Sequence, residues 1–442
     1  MTTKSLCGSF ESSMKRWSSA QVLRTAEFAY AIVVLFALTQ GPVYRLWSNS
    51  ALEIDRLPNP SMPHAYLATF IALQLPAMAL WIRRLNHGWL QDRGNQALVV
   101  FIVWMAASVA WSTYARQSLP EVVSLVMTTS FGLYLAASFS ARQFWAVIAS
   151  AMAAGVGLSW LAVMRLWEGA VNFQEDYWVG IYYNRNSLAP VTAVAVIASV
   201  GAVISTWVIV RTSRRLLAAF SLIGGLTLST FAGIELWQSK SQTSPIALAI
   251  ALGAVTLWMV IRLLTRRARL FSSARPYAAS LAFLLTGIVL FFALQFVGDV
   301  GGVSSEIATL NSRRNLWSLS WMGVQEKPWF GWGWMAAWWT EEFFGESSSW
   351  STWGSRWSHN GYHDVLLGGG WIAGSLLLAY LWFVTRSLSQ YTFQDVAPRL
   401  TLAGFALAAS TQESFFTGSH FIWALLIAAL APGRAVSRSI SD

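Results

Sequence analysis

The sequence predicts an all-α integral membrane protein of about 12 transmembrane helices, with one large extracytoplasmic loop between helices 9 and 10. Three observations lead there. Only 11% of the 442 residues are charged and 55% are hydrophobic, whereas a soluble domain carries about 25% charged residues. Apolar runs of roughly 17 to 25 residues, the length that crosses a bilayer, recur along the chain. The 30 basic residues fall in short clusters between these runs, with no stripe or arm, so the net charge of +10 speaks for membrane topology and not for nucleic acid.

In order, the runs lie near 26–44, 64–82, 97–113, 120–138, 144–164, 187–210, 216–236, 245–264, 277–297, 362–385, 400–416 and 419–432. The first follows Lys15, Arg16 and Arg24 without a small-residue cleavage site, and reads as a retained anchor and not a signal peptide. The third, eleventh and twelfth are short. With the N-terminus in the cytoplasm, 20 of the 30 basic residues fall on the cytoplasmic side, including Arg83, Arg84, Arg142, Arg262 and Arg399. Both termini are therefore expected inside. The single cysteine, Cys7, permits no intramolecular disulfide. The chain divides into transmembrane helices 1–9 (1–297), the large outer loop (298–361), and helices 10–12 with a cytoplasmic C-terminus (362–442). Two shorter outer loops, 45–63 and 165–186, complete the outer face, and no internal repeat or soluble domain is evident.

The large loop concentrates chemistry. Asn311-Ser312 reads as a helix N-cap, followed by an amphipathic run through Leu316, Trp317, Leu319 and Trp321 that Pro328 ends. Arg313 and Arg314 would then sit in the first turn, where cations oppose the helix dipole by up to ~1 kcal/mol unless an anion rests on the free N–H groups. The competing reading is a membrane-surface helix whose arginines meet lipid headgroups. Pro328-Trp329-Phe330-Gly331-Trp332-Gly333 is a glycine-hinged turn that either folds the loop back onto the membrane or cradles a phosphate. Eleven of the 26 tryptophans lie between Trp317 and Trp371. Interfacial belts enrich tryptophan on physical grounds alone, but Trp338, Trp339, Trp353 and Trp357 are also candidates to line a sugar groove. His359-Asn360 closes the loop. An imidazole with an ordinary pKa near ~6.5 is suited to take a proton from an attacking hydroxyl. Alternatively it caps a helix start, or pairs with His363 at i+4 around a metal. No further Cys/His cluster accompanies that pair, and no metal or cofactor is expected.

On these residues the chain resembles the O-antigen ligase and polysaccharide polymerase superfamily. The family's outer-loop pattern matches Ser312-Arg313, Trp317, Pro328 to Gly331-Trp332-Gly333, then His359-Asn360-Gly361-Tyr362 and Gly368-Gly369-Gly370 to Gly374. Upstream, Trp111-Ser112 with Leu119-Pro120, Asn184-Arg185-Asn186 at the entry to the sixth span, and Ser239-Lys240-Ser241-Gln242-Thr243 before the eighth are similar too. The likeness spans roughly 90–385. There are departures: Gln242 stands where an Arg is usual, leaving Lys240 to supply the charge, and Ala373 stands where the ligase pattern has Gly, Thr or Tyr. The His-Asn-Gly-Tyr wording is closer to exopolysaccharide polymerases than to lipopolysaccharide ligases.

The resemblance implies a glycosyltransferase C-like membrane enzyme of the bacterial cytoplasmic membrane. It would act outside on a polyprenyl-diphosphate-linked glycan donor and a glycan or glycolipid acceptor. His359 would be the general base and Arg313 would stabilise the diphosphate. Arg185, Lys240, Arg314, Asn186, Asn360 and Trp317 would bind substrate. Two other readings stand beside it. Glu53 and Asp55 in the first outer loop would supply a base or metal ligand in a different glycosyltransferase arrangement. A flippase for the same lipid would carry ionisable residues within its spans, where here Glu121 and Glu235 fall near span ends. Glu413 and His420, in the last outer turn, fit any of these.

Overall fold

The computed structural model describes residues 19–43, 64–86, 88–210, 215–267, 306–340, 357–388, 393–418 and 420–431. These form α1 (Ser19–Leu38), α2 (His64–Arg84), α3 (Arg93–Ala107), α4 (Ala115–Ser138), α5 (Ala141–Met164), α6 (Arg185–Val210), α7 (Arg215–Gln238), α8 (Thr243–Arg267), α9 (Glu306–Glu326), α10 (Gly361–Leu388), α11 (Phe393–Ala409) and α12 (Phe421–Leu430). A two-residue ladder of β1 (Val171–Asn172) and β2 (Tyr177–Trp178) interrupts the helical chain. The hairpin was not expected from the sequence.

Among the described residues, eight helices are long and apolar enough to cross a membrane: α1, α3 with its short 3-10 extension, α4 to α8, and α10. The protein is thus a helical membrane protein, and that count falls short of the 12 spans the sequence suggests. The expected ninth span, 277–297, lies outside the described residues, as does the loop carrying Glu53 and Asp55. The eleventh run forms α11, 17 residues long and starting seven residues earlier than expected, while 410–418 is a turn. Local bonding explains the shift. The hydroxyls of Ser410, Thr411 and Thr417 donate to the carbonyls of Ala406, Ala408 and Ser414 at 2.7, 2.8 and 2.8 Å, and such side-chain bonds compete with continued helix. The expected cap at Asn311-Ser312 is likewise corrected. α9 begins at Glu306, which puts Arg313 about two turns inside the helix, so no free N–H groups surround it.

α6 packs along α5 and α7, α8 along α11, α10 along α3, and α9 along α10, while α4 lies against α2 and α12. α12 is the innermost element, every residue from Phe421 to Leu430 being at most 1% exposed. Its approach to α4 depends on Gly132, where a Cβ would meet the Ala424 carbonyl at 2.5 Å. The Trp423 indole donates to Thr129 Oγ1 at 2.8 Å. Both ends of α12 lie in the protein interior, so its orphan backbone groups need protein partners. At the N-terminus His420 Nδ1 accepts from the Ile422 amide at 3.2 Å. At the C-terminus Arg399 Nη1 donates to the carbonyls of Ala428, Ala429 and Ala431 at 3.3, 3.5 and 3.4 Å, its guanidinium 4.8 Å from the Phe144 ring. Arg399 counts towards cytoplasmic charge in the sequence, yet it is a buried helix cap.

α10 is broken at Gly370 (φ 67°, ψ −168°), a conformation open essentially to glycine alone. The glycine-hinged turn fills the break. Trp332 N donates to Leu367 O at 2.7 Å, Gly333 N to Gly368 O at 3.1 Å, and Trp371 N to Pro328 O at 2.7 Å. The Trp104 indole donates to Gly369 O at 2.8 Å.

Replacing Arg399 with Leu should orphan the carbonyls at the end of α12, at about 1–3 kcal/mol per unsatisfied group. The expected result is a lowered unfolding temperature of the detergent-solubilised protein, with helix content unchanged at low temperature. An unchanged melting curve would remove Arg399 from the capping role.

Candidate functional site

Three residues of α9 share one face: Arg313, Trp317 and Ser320, at i, i+4 and i+7. They lie against the start of α10 and the turn that follows α11. Arg313 donates from Nη2 to Glu413 Oε1 at 2.7 Å and from Nη1 to Gln412 Oε1 at 3.3 Å. Glu413 Oε2 lies 3.1 Å from His359 Nδ1. One carboxylate therefore bridges the guanidinium and the imidazole. Burial works against ionisation of Glu413, but Arg313 and His359 together hold its pKa below the ordinary carboxylate value.

The backbone explains how His359 is presented. Asn360 Oδ1 accepts from the amides of Tyr362 and His363 at 3.1 and 3.3 Å, capping α10. Ser358 Oγ accepts from the Asn360 amide at 3.0 Å, and the Ser358 amide donates to Asp364 Oδ1 at 3.0 Å. The Gly361 amide is shared between the carbonyls of Ser410 and Glu413, at 2.8 and 3.1 Å. His359 takes up a left-handed conformation (φ 52°) between these fixed points, a strained geometry that non-glycine residues keep only when surroundings impose it. A Cβ at Gly361 would press on Phe416 at 3.0 Å, so the 410–418 turn sits directly on the helix start. Among the described residues, the buried donors Asn360 Nδ2 and Trp317 Nε1 have no acceptor.

The other expected residues form a second cluster around the β-hairpin. Arg185, at the start of α6, lies with its guanidinium 5.0 Å from the Tyr177 ring. Its neighbour Asn186 accepts from Ser241 Oγ at 3.0 Å. Lys240 Nζ donates to Asp176 Oδ2 at 3.0 Å. Arg185, Asn186 and Lys240 are thus gathered at one place, as are Arg313, His359, Asn360 and Trp317. The side chain of Arg314 lies outside the described residues, as does Trp353.

The structure also bears on the alternatives the sequence leaves open. His363 Nδ1 lies 2.6 Å from Ser320 Oγ, a contact that ties α9 to α10. The glycine-hinged turn is not a phosphate cradle, because the amides of residues 331 to 334 already bond to Lys327 O, Leu367 O, Gly368 O and Ser108 Oγ. Trp338 is 5% exposed and packs in the core, so it lines no groove. Trp357 remains open to solvent, its ring 6.2 Å from that of His359. Glu413 is the residue whose part the sequence left unassigned; the one signal it offered was an acid in a short, otherwise apolar outer turn.

The family model described as O-Antigen ligase matches residues 236–378, from the end of α7 through α8, α9 and most of α10. Arg313, Trp317, Lys240 and His359 fall within that match and Glu413 beyond it. No curated protein matches the chain.

Two outcomes follow from this geometry. Glu413→Gln would leave the buried Arg313 guanidinium without its counter-charge, a loss of about 3–5 kcal/mol, read as a lower unfolding temperature; an unchanged temperature would mean that the pair does not hold the turn. His420 is kept neutral by burial, its pKa pushed down to about 3 despite the nearby Glu413. Since the unfolded imidazole titrates near ~6.5, only the unfolded state takes up that proton in the interval. The stability that His420 contributes is therefore full above about 6.5 and is lost as pH falls towards about 3. His420→Asn keeps a cap acceptor, so its unfolding temperature should fall less steeply across that window. Equal slopes would dissociate His420 from the acid sensitivity.

Proposed function

We infer that this chain, a membrane protein of the O-antigen ligase and polysaccharide polymerase superfamily, transfers glycan from a polyprenyl-diphosphate carrier to a hydroxyl of a glycan acceptor. The reaction is assigned to the extracytoplasmic face of the bacterial cytoplasmic membrane, with both termini inside. The observation that carries this reading is the single Glu413 carboxylate between His359 and Arg313.

A neutral imidazole that donates Nδ1–H to Glu413 leaves Nε2 as its acceptor. This is the orientation a general base needs, with a carboxylate fixing the tautomer and stabilising the imidazolium that forms. The acceptor hydroxyl gives its proton to Nε2 as its oxygen bonds the anomeric carbon, and the bond from that carbon to the diphosphate breaks with the electron pair leaving on the diphosphate. The guanidinium fork of Arg313 has more donors than its contacts to Glu413 and Gln412 use, and these would meet the growing charge. The orphan N–H groups of Trp317 and Asn360 suit oxygen atoms of the same substrate. Arg185 and Lys240 are assigned to the donor's diphosphate from the second cluster. The chemistry asks for no nucleotide, because the diphosphate is itself the activated leaving group.

Chain polymerisation is the version favoured, on the His359-Asn360-Gly361-Tyr362 wording; the alternative is ligation of a finished polymer to a lipid or other surface anchor. Deleting the gene and resolving the lipid-linked glycans by size tests both. Single repeat units that accumulate, and are restored to polymer by the wild type but not by His359→Ala, are expected of a polymerase. Full-length polymer left on the carrier would mark a ligase. Full complementation by His359→Ala would overturn the assignment of the base, since a general base is worth about 10² to 10⁴ in rate.

A further inference from the structure

The hairpin over 171–178 holds both cations of the second cluster through consecutive residues. Asp176 takes Lys240 and Tyr177 takes Arg185. The next residue, Trp178, packs edge-on against Trp160 of α5 at 5.1 Å. The hairpin is closely fixed. Asn172 Oδ1 closes its tip by accepting from the amides of Gln174 and Glu175 at 3.0 and 3.1 Å, and Asn172 Nδ2 donates to the Tyr177 hydroxyl at 3.0 Å. At its base Ala170 O accepts from Val179 and Gly180, and the Ile181 amide donates to Ser159 Oγ at 3.3 Å. The backbone that carries Asp176 is therefore held in place.

The ion pair it makes is nonetheless easy to displace. The side chains of Asp176 and Lys240 are 90% and 46% exposed, and exposed pairs are weak because water solvates both ions. Both residues also have left-handed backbones (φ 53° and 49°), so the contact is held by local geometry on each side. Asp176 offers Lys240 one negative charge. A phosphodiester lipid headgroup offers one as well and gains little by replacing it, whereas a diphosphate diester brings two adjacent charges to an ammonium that has a second cation, Arg185, anchored beside the same hairpin. Specificity of this kind needs a penalty against the wrong ligand as well as attraction for the right one.

We propose that the 171–178 hairpin is a charge filter over Lys240: Asp176 holds the ammonium against singly charged phosphodiester headgroups and yields it to a lipid diphosphate. The filter rests on the reading that Lys240 is a diphosphate ligand. The test measures equilibrium binding of geranylgeranyl diphosphate, as probe, to the full chain in vesicles of phosphatidylcholine with and without phosphatidylglycerol. In phosphatidylcholine, Asp176→Asn should bind the probe about fivefold more tightly than the wild type, the scale of one exposed ion pair. Adding phosphatidylglycerol should weaken binding to the variant and leave the wild type nearly unchanged. Equal affinities in phosphatidylcholine, or an equal response to phosphatidylglycerol, would overturn the filter. Lys240→Ala separates this from the underlying reading. If it binds the probe as the wild type does, Lys240 is no diphosphate ligand and that reading fails; if it weakens binding while Asp176→Asn is silent, only the filter fails.

Discussion

The arrangement depends on one requirement: a backbone carbonyl at membrane depth must have a donor within the protein. α10 breaks at Gly370, and the break frees the carbonyls of Leu367, Gly368 and Gly369. The amides of Trp332 and Gly333 and the Trp104 indole take them up. The loop that follows α9 is thereby fastened to α10, and α3 to both. This join sets α9 in register, so that Arg313, Trp317 and Ser320 run beside His359 and His363. A Cβ at Gly331 would press on Leu367 O at 2.5 Å, which leaves the join no room for a larger residue.

In this apolar frame many buried hydroxyls bond only within their own helix, as Thr192, Ser199 and Thr401 do, whereas the charged groups of the candidate site join different elements. Glu413 has Arg313 on one oxygen and His359 on the other. A buried ion pair is weak support for stability, because desolvation offsets much of the Coulombic gain. An apolar trio would hold α9, α10 and the 410–418 turn together at least as well. The three ionisable side chains set a proton acceptor and a cation side by side, which is the arrangement the proposed glycan transfer uses.

How much of this was legible in the sequence depends on what kind of interaction makes each part. The long helices were plain, since apolar length alone defines a span, and α4 to α8 fall close to their expected places. The His359-Asn360 pair and the Pro328 to Gly333 turn were visible as patterns, but the partner of each was not. The turn's amides pair with carbonyls some 35 residues further along, a contact no local spacing announces. Asn360 Oδ1 caps α10 in the structure, as a short polar side chain before a helix commonly does, and this sits beside the substrate role proposed for its Nδ2. Asp176 and Tyr177 carried no signal, since nothing in a loop of ordinary composition says which cation its acid will meet. Arg399 is a case of the opposite kind. The charge rule treats every arginine near a span end as facing water, whereas this one is buried against the end of α12.

The shortness of α12 bears on how the site is held. Ten residues rise about 15 Å, half of a hydrocarbon layer about 30 Å thick. Such a segment is too short to enter the bilayer as an independent span. Arg399, which closes its far end, lies in the preceding helix α11, and the residue that caps its near end, His420, lies in the turn between the two. α12 is therefore closed at both ends only in company with α11 and the turn between them, and the three form one structural unit. Glu413 lies in that same unit, so the contacts that seat α12 also fix the carboxylate that joins Arg313 to His359.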